Sequence, residues 1–269
     1  MNKLPLTLLA PVTLLVTASL PAVQWAPDLV LPLTSHAERE PGLMIEVDSE
    51  GRVHSDGDVR LRPGEDQKRL ARWLAKKAGP MRTAPNAALG IKLPDERVLL
   101  RADASAPFHV VQTIMQNCAM PEAGLWRIEL ATRLTNGRGL GFIPVHLATD
   151  LGLPAEVGES AEEPTETALI RIDVLEVGER RSFVDPDEPW PGSGPSQYVG
   201  RTLQYRIGPA MDRDISSIAK RLGAIRKGLE TQELTVDARA GVTYGEVVQV
   251  LDRALDSGFK EFHFSGYFD

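Results

Sequence analysis

The segment Val242-Thr243-Tyr244-Gly245-Glu246-Val247-Val248 decides how this chain is read, because it starts a helix with its own signal and has a weaker double earlier on. Thr243 and Glu246 form the Thr-x-x-Glu pattern of a capping box, in which each side chain satisfies a backbone N–H left free by the first helical turn. Val247, Val250, Leu251 and Ala254 then recur on one face at helical spacing. Gly258 follows where the helix should stop. Residues 233–237 before it and 261–264 after it alternate as strands, so the whole reads strand, helix, strand.

The double runs through residues 98–103, 107–119 and 126–130, with Pro107 near the helix start and Gly124 past its end, the usual asymmetry of those two residues. Each copy also has an earlier amphipathic helix. Residues 66–77 carry Leu70, Trp73 and Leu74, and residues 214–227 carry Ile218, Leu222 and Ile225. Each opens with a strand, at residues 43–47 and 169–175. Asp28-Leu29-Val30-Leu31-Pro32 is echoed by Asp150-Leu151-Gly152-Leu153-Pro154. An internal repeat of this kind sets the architecture. The expectation is an α+β chain of two tandem units, each a mixed sheet with two helices on one face. Residues 1–26 form an apolar leader, 27–149 the first unit, 150–168 a linker and 169–269 the second unit. The linker holds Glu156, Glu159, Glu162, Glu163 and Glu166 with Pro154 and Pro164, a solvated composition. Residues 185–196, with four prolines and Trp190, read as a loop insertion absent from the first copy.

These residues resemble the ExbD/TolR family of small single-pass envelope proteins. Asp237-Ala238-Arg239, Thr243-Tyr244-Gly245-Glu246-Val247-Val248 and Ser257-Gly258-Phe259 are similar to that family's strand, its Tyr-Gly-x-Val-Val helix start and its helix-ending glycine. Arg101-Ala102-Asp103 and Pro107-Phe108-His109-Val110-Val111 repeat the pattern with Phe108 where tyrosine is usual. The Leu-Pro segment at Asp28 to Pro32 and the hairpin residues Val47-Asp48, Gly51-Arg52-Val53 and Asp56-Gly57 extend the likeness. The resemblance implies a periplasmic domain that dimerises, an ExbB/TolQ-like channel protein as partner, and a TonB/TolA-like peptide or peptidoglycan as a further ligand. Two copies in one chain suggest that they pair with each other, a linker raising their effective concentration. Asp28, Leu29, Leu31, Pro32, Asp150, Leu151, Leu153 and Pro154 are candidate partner-binding edges for an added strand. Phe108 and Tyr244, at equivalent helix starts, either face a partner or close the core over the sheet.

Residues 4–26 contain no ionisable side chain, which suits a membrane anchor with both units in the periplasm and the protein in the inner membrane. Pro5, Pro11, Pro21 and the small-residue site Val16-Thr17-Ala18 suit instead a cleaved signal peptide. Trp25, placed as an interfacial anchor would be, favours retention. The family's membrane helix carries an aspartate in a Pro-Leu-x-Asp setting. Pro5-Leu6-Thr7-Leu8 offers leucine there, and Leu8 cannot take up a proton. That departure speaks against a proton-driven stator acting by itself.

With 30 basic against 37 acidic side chains, a net charge of −7 and no basic block, the chain lacks a nucleic-acid footprint. His36, His54, His109, His146 and His263 show no zinc-ligand spacing. Gly137-Arg138-Gly139-Leu140-Gly141 lacks the spacing of a phosphate loop and reads as a turn. Asp185, Asp187 and Glu188 sit among prolines as a solvated loop. Cys118 lies in the apolar pattern of Val110, Val111, Ile114 and Met115 as a small hydrophobe. No catalytic, cofactor or metal residue is expected.

Overall fold

A computed structural model describes residues 33–34, 42–62, 65–86, 90–134, 140–146, 168–175, 180–182, 196–198 and 201–265. The leader at 1–26 and almost all of the linker lie outside the described residues. The chain is mixed α+β with four helices among those described. In order the elements are β1 (Leu33–Thr34), β2 (Leu43–Val47), β3 (Val53–Ser55), β4 (Asp58–Leu61), α1 (Lys68–Ala78), β5 (Thr83–Asn86), β6 (Ile91–Pro94), β7 (Val98–Ala102), α2 (Phe108–Ala119), β8 (Arg127–Leu134) and β9 (Leu140–His146). They continue as β10 (Ala168–Val174), β11 (Arg180–Ser182), β12 (Ser196–Tyr198), β13 (Leu203–Ile207), β14 (Ala210–Asp212), α3 (Ile215–Gly228), β15 (Glu233–Ala238), α4 (Tyr244–Asp256) and β16 (Glu261–Ser265).

The first sheet contains the run β4-β3-β2-β7-β8, and the second is β14-β13-β10-β15-β16. The two runs have the same wiring. A strand forms an antiparallel meander with two that follow it, directly in the first sheet and past the separate β11-β12 ribbon in the second. It then pairs in parallel with a strand reached through one helix, which pairs in parallel with a strand reached through another. Both crossovers step across the sheet in the same direction, so right-handed connections lay both helices on one face.

The alternation seen in the sequence is the reason for that face. Leu43, Ile45 and Val47 of β2, Val98, Leu100 and Ala102 of β7, and Ile128 and Leu130 of β8 all enter the core with Leu70, Leu74 and Ala78 of α1. Ala168, Ile170, Ile172, Leu234, Val236 and Phe262 do the same under Ile218 and Leu222 of α3. Local chemistry fixes the turns. Asp56 and Gly57, both at positive φ (54° and 79°), make the two-residue turn between β3 and β4, whose twist suits the hairpin. Asp214 caps α3 by accepting the Ser216 N–H at 2.9 Å. The Thr243 and Glu246 capping box forms on α4, and Gly258 follows that helix at φ 94°.

The first sheet carries two additions. β8 runs on past its pairing with β7, and β9 folds back antiparallel along it. β1 joins the overhanging end of β8 in parallel, so Leu33 and Thr34, directly after the Asp28 to Pro32 segment, are paired to Arg133 and Leu134. The overhang brings β1 beside α4 and β9 beside β16, and one continuous core spans both units.

On the face away from the helices, Arg101 of β7 donates to Glu46 of β2 at 2.7 Å with both side chains buried. Burial pulls the Arg101 guanidinium below its ordinary pKa, and Glu46 opposes that shift. Breaking such a pair from one side leaves a buried charge less well compensated, whereas replacing both sides removes the desolvation cost as well. Glu46→Leu is therefore expected to destabilise the chain by about 3 kcal/mol, and Glu46→Leu combined with Arg101→Met to recover most of that loss, read as urea midpoints.

Candidate functional site

Pro107 and Thr243, the residues just before α2 and α4, both have extended backbones and lie antiparallel to one another as an isolated bridge. The Phe108 N–H donates to the Val242 carbonyl at 2.9 Å, and the Tyr244 N–H donates to the Ala106 carbonyl at 2.9 Å. Matching Phe108 with Tyr244 matches Ala106 with Val242, so the two bonds are one contact made twice about a pseudo-two-fold axis. A third, from the Gly245 N–H to the Ala104 carbonyl at 2.9 Å, adds to it on one side. Glu246 supports Thr243 from behind, accepting its N–H at 2.8 Å while Arg201 holds the other carboxylate oxygen at 2.5 Å. Arg201 also donates to the Gly241 carbonyl.

The candidate aromatics sit on this axis. Tyr244 and Phe108 are fully buried, each against the other unit. The Tyr244 hydroxyl donates to the Ala131 carbonyl on the β8 overhang at 2.8 Å, and burial pushes its phenol well above the ordinary range. Phe108 meets Phe264 of β16 with ring centroids 5.3 Å apart at 46°. Strand register equates Leu130 with Phe264 and Ala131 with Ser265, so each aromatic reaches the equivalent strand, β8 or β16, of the opposite unit. Of the two readings open from sequence, closing a core is the one this burial satisfies, the core being shared by both units.

The next pair of equivalents breaks the symmetry. A Cβ on Gly245 would stand 2.8 Å from the Ala104 carbonyl oxygen, closer than real contacts allow. His109, its counterpart, has a shielded Nε2 with no hydrogen-bond partner among the described residues, and burial lowers its pKa to about 4.

The candidate edge residues Asp28, Leu29, Leu31, Pro32, Asp150, Leu151, Leu153 and Pro154 lie outside the described residues, as do Asp185, Asp187, Glu188 and Gly137 to Gly139. Leu140 and Gly141, read with the latter as a turn, instead open β9, held there by pairing with β8. Cys118 is buried and its thiol is pushed far up by desolvation, so it is not poised as a nucleophile. No described helix is long and apolar enough to cross a membrane.

A further cluster went unnoticed in sequence. At the start of β15 and β16, Glu233, Glu261 and His263 bring three ligand-type atoms within 4.8 Å of one another. The equivalent place in the first unit holds Arg97, Arg127 and Glu129, which line a shallow depression of about 170 Å³ together with Trp126 and Pro144. The histidine spacing hid the cluster because its ligands come from two strands; the Glu-x-His alternation at 261 and 263 was the available signal. No family model matches the sequence, and no curated protein matches it significantly.

Two outcomes follow from the interface. Gly245→Ala forces a methyl group against backbone and is expected to cost about 1–3 kcal/mol of stability, measured by urea unfolding. Because the folded pKa of His109 is depressed to about 4, the unfolded chain takes up its proton first as pH falls through 6.5. Stability contributed above that pH is then lost down to about pH 4. Wild type should lose about 2 kcal/mol between pH 7 and pH 4.5 that His109→Gln does not lose, after allowance for the ring's partial exposure.

Proposed function

We propose that this chain is a membrane-anchored, ExbD/TolR-like subunit of an envelope transport complex that works by binding protein rather than by catalysis. The observation that carries the reading is the same strand-and-helix wiring made twice and joined by the reciprocal bridge at Pro107 and Thr243. It supports a boundary between two tandem ExbD/TolR-like domains in the acidic segment after residue 149. It also supports an intramolecular counterpart of the dimer that the resemblance implies. In this reading residues 4–26 hold the paired body to the inner membrane beside an ExbB/TolQ-like channel protein. The strand edges next to Asp28 to Pro32 and Asp150 to Pro154 receive a TonB/TolA-like peptide as an added strand. Pairing within one chain keeps the body assembled without depending on protomer concentration.

Leu8, standing where the family has its proton-binding aspartate, favours a second reading: an exported soluble tandem module for protein or cell-wall glycan. Alkaline carbonate extraction and N-terminal sequencing of the protein from its own host separate the two. Retention of residues 4–26 in the membrane pellet, with co-purification of a multi-span channel subunit, is the expected result. A soluble chain beginning near Ser19 or Val23 would remove the transport role and leave the binding module.

A further inference from the structure

β15 and β16 are parallel neighbours in which Glu233 stands directly beside Glu261. Glu261 and His263 are two residues apart on one strand and share its face, so all three side chains project from the sheet together. Two carboxylates placed side by side repel, and the sequence could have avoided the contact on a surface. The His263 Nε2 lies 3.8 Å from the Glu233 Oε2, too far for a hydrogen bond. It is shielded from solvent and has no hydrogen-bond partner among the described residues. The separation matches what two ligands keep on one ion: bonds of about 2.1 Å at a tetrahedral angle place donor atoms about 3.4 Å apart.

The duplication supplies an internal control. Strand register sets Arg97 against Glu233, Arg127 against Glu261 and Glu129 against His263. In the first unit this corner is closed with its own charges: Arg97 bonds Glu129 at 2.5 Å and Arg127 bonds Asp95 at 2.5 Å. In the second unit carboxylates replace both arginines and an imidazole replaces the carboxylate, which turns a self-neutralised corner into a donor set that wants a cation. We propose that Glu233, Glu261 and His263 bind a divalent transition-metal ion of the zinc class. An imidazole ligand argues against magnesium or calcium, which prefer oxygen donors throughout. Glu261 is exposed and free to swing the last distance, and a fourth position stays open for water or for a donor from a partner. The bound ion would tie the last strand of the sheet to its neighbour.

The test uses the purified chain stripped with EDTA, titrated with Zn2+ by calorimetry and melted with and without Zn2+ or Mg2+. One saturable Zn2+ site of micromolar or tighter affinity is expected, with a melting temperature raised by several degrees that Mg2+ does not reproduce. Glu233→Gln and His263→Gln should each weaken Zn2+ binding at least about tenfold. His54→Gln, whose ring is already bonded to Asp48, should not. Glu233→Gln should also raise the melting temperature of the metal-free chain by relieving the carboxylate pair, which separates loss of a ligand from loss of the fold. Absence of saturable Zn2+ binding by wild type, or unchanged affinity in both ligand variants, would overturn the proposal.

Discussion

The first N–H groups of any helix have no acceptor inside it, and the free donors of α2 and α4 must be satisfied from outside. In each unit the donor at the helix start, Phe108 or Tyr244, finds the carbonyl that precedes the other unit's helix by two residues. The aromatic at that donor is then carried under the opposite sheet. This exchange explains why α2 and α4 are buried nearly all round, from Val110 to Cys118 and from Val247 to Ala254, while α1 and α3 bury only a narrow stripe. A single unit would expose two faces of its central helix. The β8 overhang, the position of β1 beside α4 and the continuous core all follow from satisfying that helix on both sides.

Two sheets of the same wiring that pack on one another need not be identical, and here the differences are chemical. Glu46 and Arg101 face each other across β2 and β7; at the equivalent places β10 and β15 carry Arg171 and Asp237, 4.0 Å apart. The signs are exchanged and the opposite charges still face each other, though Arg171 bonds Asp173 at 2.7 Å and Arg239 reaches Asp237 at 3.0 Å. A cross-strand pair contributes through its complementarity, whichever strand carries the cation. The corner at Glu233 and Glu261 does not obey this rule, since both positions differ in sign from Arg97 and Arg127 and the ion-pair partner at Glu233 among the described residues is His263.

The fold was legible where the pattern was local. Alternation at residues 43–47 and 98–103, the capping box at Thr243 and Glu246, and the glycine after α4 each state their element within a few residues, and each stands where the sequence put it. The missed elements share a different cause. β9 contains Pro144 and β5 contains Pro85, and proline argues against a central strand; both belong to ribbons or edges where a missing N–H costs nothing. Neither the exchange at Pro107 and Thr243 nor the cluster at His263 has a local signature, because both depend on which strands and helices become neighbours.

The interface is symmetric in backbone and asymmetric in side chains, and the asymmetry has a direction. Tyr244 spends its hydroxyl on the Ala131 carbonyl of β8, whose register equivalent in β16 is Ser265. Phe108 has no polar side-chain atom to satisfy and meets the Phe264 ring of β16 at a tilt of 46°. Gly245 lets the second helix approach the Ala104 carbonyl, whereas His109 at the matching place fills the space with an imidazole. Exchanging the two helix starts would bring the His109 ring against the Ala104 carbonyl, where Gly245 now fits. A homodimer of the first unit would meet that conflict twice. Side-chain divergence at the axis therefore favours pairing of the first half with the second over pairing with its own copy.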